Sequence, residues 1–462
     1  MNKLKKFLSG NIYPLLISIG GAAAWMFTGN LQMVNQGFII GYLILAAVIL
    51  ALFKNTSHVI PIFLSLLFMV NIKNLGLRDI RELSFLYVVF GLVVIGLAIH
   101  VIRFRHEFNV GYLSLGFLLI AISYLLPMLY IPFSKTLLAI SLVGFLYLAI
   151  YLFFRNTSYG KTEQIMKHFF FASLIILAQL IYGYTKGFLS MDLTQPIGTI
   201  VRTGLRSAWR IGDLGYGIIN DVIIFFTLLV AGQVYMLFKY PKQIWLWIFP
   251  ILSVIVVILS GSRGGWISWA VMLVMFYVLV IAKGTKTQIF IASALAILAL
   301  VPMIVEPRIP RLLFQVFKQG GITNFDQFTS WRLTLYKDAY EIFRKFPYFG
   351  GGWTYKLQVG NSNRVNVYHS TIFHTLAISG IAGVVAVGVL MISQMALLVK
   401  KLNIYIGIAS IAFLTTLFHG LMDNTVHMLI YTILTIFLFV AIERDDGIIE
   451  YEETKTFPFV LE

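Results

Sequence analysis

The 462 residues are 59% hydrophobic and only 12% charged, with a mean hydropathy of +0.87. A soluble globular chain carries about twice that charged fraction, so a soluble domain is excluded, and the period-2 alternation of a membrane barrel is absent. The chain has no cysteine, which excludes disulfides, thiol catalysis and cysteine-ligated metals. Its +16 formal charge is not read as a nucleic-acid signal, because loop lysines and arginines of a membrane protein account for much of it.

The first apolar run, residues 12–29, follows Lys3, Lys5 and Lys6 and lacks a small-residue cleavage site, so it reads as a retained span. Apolar segments then recur, centred near residues 20, 45, 65, 92, 118, 145, 177, 227, 252, 274, 296, 383, 410 and 434. The expectation is an all-α polytopic membrane domain over residues 1–442, with 12–14 spans. With the N-terminus inside, the cytoplasmic connections hold Lys54; Arg103 and Arg105; Arg155, Lys161 and Lys167; Lys239 and Lys242; Lys283 and Lys286; and Lys400 and Lys401. Every one is basic, which places both termini in the cytoplasm of a cell whose plasma membrane holds the protein. Residues 443–462, rich in Asp and Glu, read as a solvated acidic tail.

Two long connections then fall outside. In the first, residues 187–215, Arg202, Arg206 and Arg210 are spaced four apart and would form one basic stripe on a helix, facing either lipid headgroups or a substrate. Between two later spans comes Ser260-Gly261-Ser262-Arg263-Gly264-Gly265-Trp266, a turn whose backbone N–H groups and Arg263 guanidinium suit an anion. The second long connection, residues 305–368, carries nine Lys/Arg against four Asp/Glu. It is either a solvated basic loop or a surface for an anionic substrate. Within it, Trp331, Leu335, Ala339, Ile342, Phe343 and Phe346 share one helical face. The pattern predicts an amphipathic helix over 330–346 that can lie at the membrane surface, that Thr329 or Ser330 can cap, and that Pro347 and Gly350-Gly351-Gly352 end.

Tyr368-His369-Ser370-Thr371 then opens an apolar helix at its water end. His374 is badly spaced from His369 for a shared metal, and no carboxylate cluster adjoins them, so no metal or cofactor is expected. His419 and Asp423 lie one turn apart near the end of the penultimate span, where they can pair or support a catalytic group. No P-loop, dinucleotide fingerprint, HExxH, GxSxG or DxD-like pair occurs.

These motifs, in this order and on one face, resemble the O-antigen ligase/O-antigen polymerase superfamily of bacterial polysaccharide membrane enzymes. Ser262-Arg263-Gly264-Gly265 is similar to the family's S-R-G-x turn. Ser330-Trp331-Arg332 with Phe346-Pro347-Tyr348-Phe349-Gly350-Gly351-Gly352 is similar to its R…W…P-x-x-G-x-G loop. His369 with Gly380 and Gly383 resembles H-N-x-x-L…G-x-x-G, although Ser370 and Phe373 replace the usual Asn and Leu; His419 to Asp423 resembles the H-x-x-x-D segment.

The resemblance implies a GT-C-like fold and metal-independent, inverting transfer of a glycan from an undecaprenyl-diphosphate carrier to a glycan acceptor outside the cytoplasmic membrane. His369 would be the acceptor base, with Arg263, Arg332 and Arg210 on the diphosphate and Asp423, His419 and Ser370 in support. The expected activity is polymerisation of a surface polysaccharide, in which a chain-length regulator is a possible partner. The alternatives are ligation to a different acceptor and transport of lipid-linked saccharides.

Overall fold

The computed structural model describes residues 2–26, 32–69, 84–133, 135–189, 194, 214–305, 332–355, 357–359, 362–364 and 367–445. Helices dominate: α1 (Asn2–Ser9), α2 (Ile12–Met26), α3 (Gln32–Leu52), α4 (Ile60–Met69), α5 (Ser84–Phe104), α6 (Ser114–Leu125), α7 (Lys135–Ser141), α8 (Val143–Thr157), α9 (Thr162–Leu189), α10 (Ile219–Lys239), α11 (Ile248–Leu259), α12 (Arg263–Lys283), α13 (Lys286–Val305), α14 (Arg332–Lys345), α15 (Thr371–Lys400), α16 (Ile404–His419) and α17 (Leu429–Arg444). The short antiparallel strands β1 (Leu357–Val359) and β2 (Ser362–Arg364) form a hairpin between α14 and α15.

Each of the fourteen apolar centres expected from the sequence falls within a helix. Among the described residues, five helical stretches are long and apolar enough to cross a membrane, or six if the bent pair α1–α2 counts as one. Several shorter apolar helices accompany them. The chain is an all-α polytopic membrane protein.

Burial sorts these helices. The apolar window of α10 is 89% buried and that of α9 is 72%, whereas those of the joined α7–α8 stretch and of α12 are 33% buried. A helix apolar on all sides can be satisfied in the protein interior or against lipid, so α9 and α10 form the core and α12 and α13 present outward faces. On those faces Val274, Val278, Phe290, Ile297 and Leu298 are exposed. Helices α9 and α10 meet backbone to backbone at Gly232, where a Cβ would stand 2.2 Å from the Phe170 nitrogen. Polar links cross the same core: Gln233 donates to Ser173 at 3.0 Å and accepts from Ser253 at 2.9 Å, tying α9, α10 and α11.

Two regions differ from the sequence expectation. Helix α17 runs to Arg444, beyond the expected boundary at 442, because Glu443 is held inside the fold. Glu443 accepts from Tyr151 at 2.6 Å and pairs with Arg155 at 3.0 Å, and Asp445 accepts from the Thr162 amide. The remainder of the expected acidic tail, 446–462, lies outside the described residues.

The amphipathic helix forms as α14, and its apolar stripe packs on α15. Ala339 and Ile342 are buried in one cluster with Tyr368 and Ala377. Its expected cap, Thr329 or Ser330, and Trp331 are outside the described residues.

Helix α15 is two helices joined at a break. Gly380 has φ 59° and ψ −150°, a conformation essentially restricted to glycine. The chain from Pro347 to Gly352 plugs into this break. The amides of Gly351 and Gly352 donate to the carbonyls of Ala377 and Ile378 at 2.7 and 3.0 Å, and those of Ile381 and Ala382 donate to Pro347 and Tyr348 at 2.9 and 3.0 Å. Four backbone groups that the break frees are thereby satisfied within the protein, as the bilayer requires. Tyr130 clamps the plug from the far side, its hydroxyl 2.5 Å from the Gly350 carbonyl and its ring stacked on Phe346. This junction fixes where α14 sits and so carries Arg332 to the mouth of α15.

Candidate active site

The site is built where α12, α14 and α15 begin and α16 ends. The turn after α16 is stapled to the start of α15. The Thr371 amide donates to the carbonyls of Gly420 and Asp423 at 2.8 and 3.0 Å, and the Thr425 amide donates to the Thr371 hydroxyl at 3.1 Å. The staple sets Asp423 beside His369, with Nδ1 of His369 3.0 Å from Oδ1 of Asp423. The same oxygen accepts from the Asn424 amide at 2.9 Å. On the other side, Nη2 of Arg332, in the first turn of α14, lies 3.7 Å from Oδ2 of Asp423.

The Asp423 carboxylate is 1% exposed while the His369 ring is 31% exposed, so a buried acid orients a histidine that reaches the surface. The acceptor character of Asp423 assigns the His369 proton to Nδ1 and leaves Nε2 with its lone pair. Burial alone would raise the Asp423 carboxyl. The His369 hydrogen bond and charge, with His419 and Arg332, outweigh it and hold the carboxyl below its ordinary value.

Tyr336, one turn along α14 from Arg332, donates to the His369 carbonyl at 3.0 Å, and its ring stacks on Phe373 at 4.4 Å. Burial pushes the Tyr336 hydroxyl above its ordinary value, with Arg332 opposing and Asp423 reinforcing the shift, so it remains a donor. Tyr336 was missed in the sequence reading. Its i, i+4 spacing from Arg332 was the available signal.

Arg263 is the first residue of α12. Ser262 caps that helix, its hydroxyl accepting from the Gly265 amide at 3.2 Å and donating to Asn220 at 2.8 Å. Gly261 takes φ 66°, and a Cβ there would meet nothing within 4 Å. The half-buried Arg263 interacts electrostatically with Arg332, so two guanidinium groups from separate helices share one field. An anion between them would relieve that repulsion.

His419 ends α16, is 1% exposed, and has no hydrogen-bond partner for either ring nitrogen among the described residues. It lies beneath the start of α12, where a Cβ on Gly264 would stand 3.1 Å from its Nε2. Its charge interactions are with Asp423 and Arg332. Ser370 is buried at the start of α15 and makes no side-chain capping bond. Behind it lies a buried cluster the sequence did not indicate. His427 is bonded to Tyr124 and Thr375, both at 2.7 Å, and the rings of Trp353 and His374 pack against it.

Of the residues singled out in the sequence, His369, Asp423 and Arg332 are in direct contact, and Arg263 and His419 are coupled to them by charge. Arg202, Arg206 and Arg210 lie outside the described residues. No group of three His, Asp or Glu side chains among the described residues is arranged to hold a metal ion.

Asp423→Asn is expected to weaken the orientation of His369 and leave Arg332 without its counter-charge. The loss is about 1–3 kcal/mol, on the order of ten- to a hundredfold in rate. The stability difference between wild type and Asp423→Asn has a defined pH dependence. A carboxyl depressed in the folded state contributes stability above its unfolded value, about 3.9, and loses it as pH falls through the lower folded value. Melting temperatures in detergent should therefore differ at neutral pH, begin to converge as the pH falls below about 3.9, and meet only below the depressed folded value. An equal gap at all pH values would refute the pairing.

No curated protein matches the chain. Residues 248–388 match the family model described as O-antigen ligase, a span that includes Arg263, Arg332, the Gly350–Gly380 junction and His369 and stops short of His419 and Asp423. With the apolar helices, this matched segment, which is under a third of the chain, supports membership of the O-antigen ligase/polymerase superfamily.

Proposed function

We propose that the protein is a glycosyltransferase that extends a cell-surface polysaccharide by joining oligosaccharide units carried on a polyprenyl diphosphate. The observation that carries this reading is the convergence of His369, Asp423 and Arg332, with Arg263 in their field, at one end of a membrane bundle. The basic connections at the opposite end of the helices support an extracytoplasmic site with cytoplasmic termini.

In this mechanism Nε2 of His369 takes the proton of an acceptor sugar hydroxyl as its oxygen attacks the anomeric carbon of the donor. The bond from that carbon to the phosphate oxygen breaks, and the pair of electrons leaves with the diphosphate. Arg263 and Arg332 stabilise the charge that develops there, and Arg210 is a third candidate. Asp423 stabilises the imidazolium until its proton returns to solvent. An in-line displacement inverts the anomeric centre. His419 props the start of α12, and Ser370 borders the acceptor side.

Arg332→Ala is expected to lower kcat/KM for the lipid-linked donor by about a hundredfold, near 3 kcal/mol, and Arg332→Lys to recover only part, since a bidentate fork is replaced by a point charge. Purified protein given the lipid-linked oligosaccharide in EDTA tests the reading. Carrier-linked chains that lengthen stepwise support it, and absence of any new glycosidic bond would refute it. The description of the matching family favours a second reading, ligation to a different acceptor. Appearance of the glycan on a non-carrier acceptor alone would select that reading.

A further inference from the structure

A second polar site lies at the far end of the bundle. Helix α10 starts at Ile219, next to Asn220 and the Ser262 turn, and its 21 residues end at Lys239. At 1.5 Å per residue that is about 30 Å from the first site. Helix α16 likewise runs from Ile404, capped by Asn403, to His419, and α17 from Leu429, after the Asp423 turn, to Arg444, beside Asp445. At this far end the described residues line a half-open cleft of about 390 Å³, within the range of small-ligand sites. Its wall includes Lys161, Lys167, Lys239, Glu163, Asp445 and the buried tyrosines Tyr235 and Tyr405.

The acids in this wall have protein partners. Both oxygens of Glu163 accept from Lys239, at 3.2 and 3.1 Å. Asp445 accepts from the Thr162 amide at 3.1 Å. The cations outnumber them, and further positive charge surrounds the rim: Lys401 donates to the Asp445 carbonyl, and the Arg444 guanidinium sits 5.9 Å from the Tyr159 ring. His58 also lines the cavity. It is 2% exposed, and its Nδ1 has no hydrogen-bond partner among the described residues. A half-open space with one more ammonium group than carboxylate in its wall, phenol hydroxyls and an unused ring nitrogen matches a phosphate group.

The cavity also adjoins a segment suited to the membrane interface. Helix α1, Asn-Lys-Leu-Lys-Lys-Phe-Leu-Ser, is bent 61° from α2 and exposes Leu4 and Phe7 alongside its three lysines. Such a helix lies in the headgroup layer. Its last residue, Ser9, is part of the cavity wall, and Lys5 interacts electrostatically with His58.

We propose that this cavity binds a phosphate-bearing anion, and that its place beside α1 makes the headgroup of an anionic phospholipid the occupant. The site is separate from His369 and does not depend on the proposed transfer chemistry. The test is native mass spectrometry of the full chain reconstituted in nanodiscs of phosphatidylglycerol and phosphatidylcholine, with thermal shift in inorganic phosphate as a second arm. Wild type is expected to retain phosphatidylglycerol at least tenfold over Lys167→Gln, with a smaller loss for Lys161→Gln at the exposed rim. That second variant keeps the test valid if Lys167→Gln fails to fold. Stabilisation of wild type by phosphate, without selective lipid retention, would support the anion site and assign it a soluble occupant. Equal lipid retention and equal phosphate response in wild type and both variants would overturn the proposal.

Discussion

His369→Ala is expected to reduce glycan transfer by about 10²- to 10⁴-fold, the range that a positioned general base supplies, while leaving the protein folded. The ring is part exposed and packs little, so its removal leaves no large cavity. The residue it orients against is different. Asp423 is buried and would be left with Arg332 at 3.7 Å and the Asn424 amide at 2.9 Å as its remaining partners. A modest loss of stability with a large loss of kcat is therefore the expected signature, measured by melting temperature and by single-turnover transfer on the same preparation. Wild-type turnover in the variant would remove His369 from the chemistry.

The second large effect is on folding. Gly350→Ala is expected to yield little or no folded protein. Gly350 has φ 72°, and a Cβ there would stand 2.3 Å from the Ile378 carbonyl carbon and the Ser379 nitrogen. Backbone cannot move aside as a side-chain tip can. Gly380 faces the same junction from the other side, where a Cβ would stand 2.6 Å from the Pro347 carbonyl oxygen. Left-handed strain costs about 1–2 kcal/mol, and each of the four inter-segment backbone bonds about 1 kcal/mol. Together they approach the whole stability of many domains. Because the junction holds α14 against α15, any Gly350→Ala protein that does fold should also show a displaced Arg332 and a raised KM for donor. A monodisperse variant with the wild-type melting temperature would show that the plug is dispensable.

The sequence made the apolar helices legible because long apolar runs leave few alternatives in a bilayer, although only five or six of the expected 12–14 are long enough to span it among the described residues. It also drew attention to His369, Arg332, Arg263 and Asp423, which the fold brings to one end of the bundle, since charged groups near an apolar span are costly and stand out. What it could not convey was the reason for the glycines. Gly350, Gly352 and Gly380 read as a loop end and a helix pattern, yet the three positive-φ positions belong to one junction between segments about thirty residues apart. No local periodicity encodes that pairing. Helix α14 shows the same limit: its amphipathic pattern was clear, but a stripe of Ala339 and Ile342 suits α15 as well as lipid. The Glu443–Arg155 pair is similar, since nothing local distinguishes this buried acid from the other acids that follow it in the sequence.

The most direct measurement of the proposed chemistry is a cryo-EM structure of the full chain in nanodiscs with the lipid-linked oligosaccharide bound to an inactive His369→Ala protein. The account predicts the diphosphate in bidentate contact with Arg332, Arg263 on its other side, and an acceptor hydroxyl where Nε2 of His369 would stand. A diphosphate bound away from both arginines would contradict it.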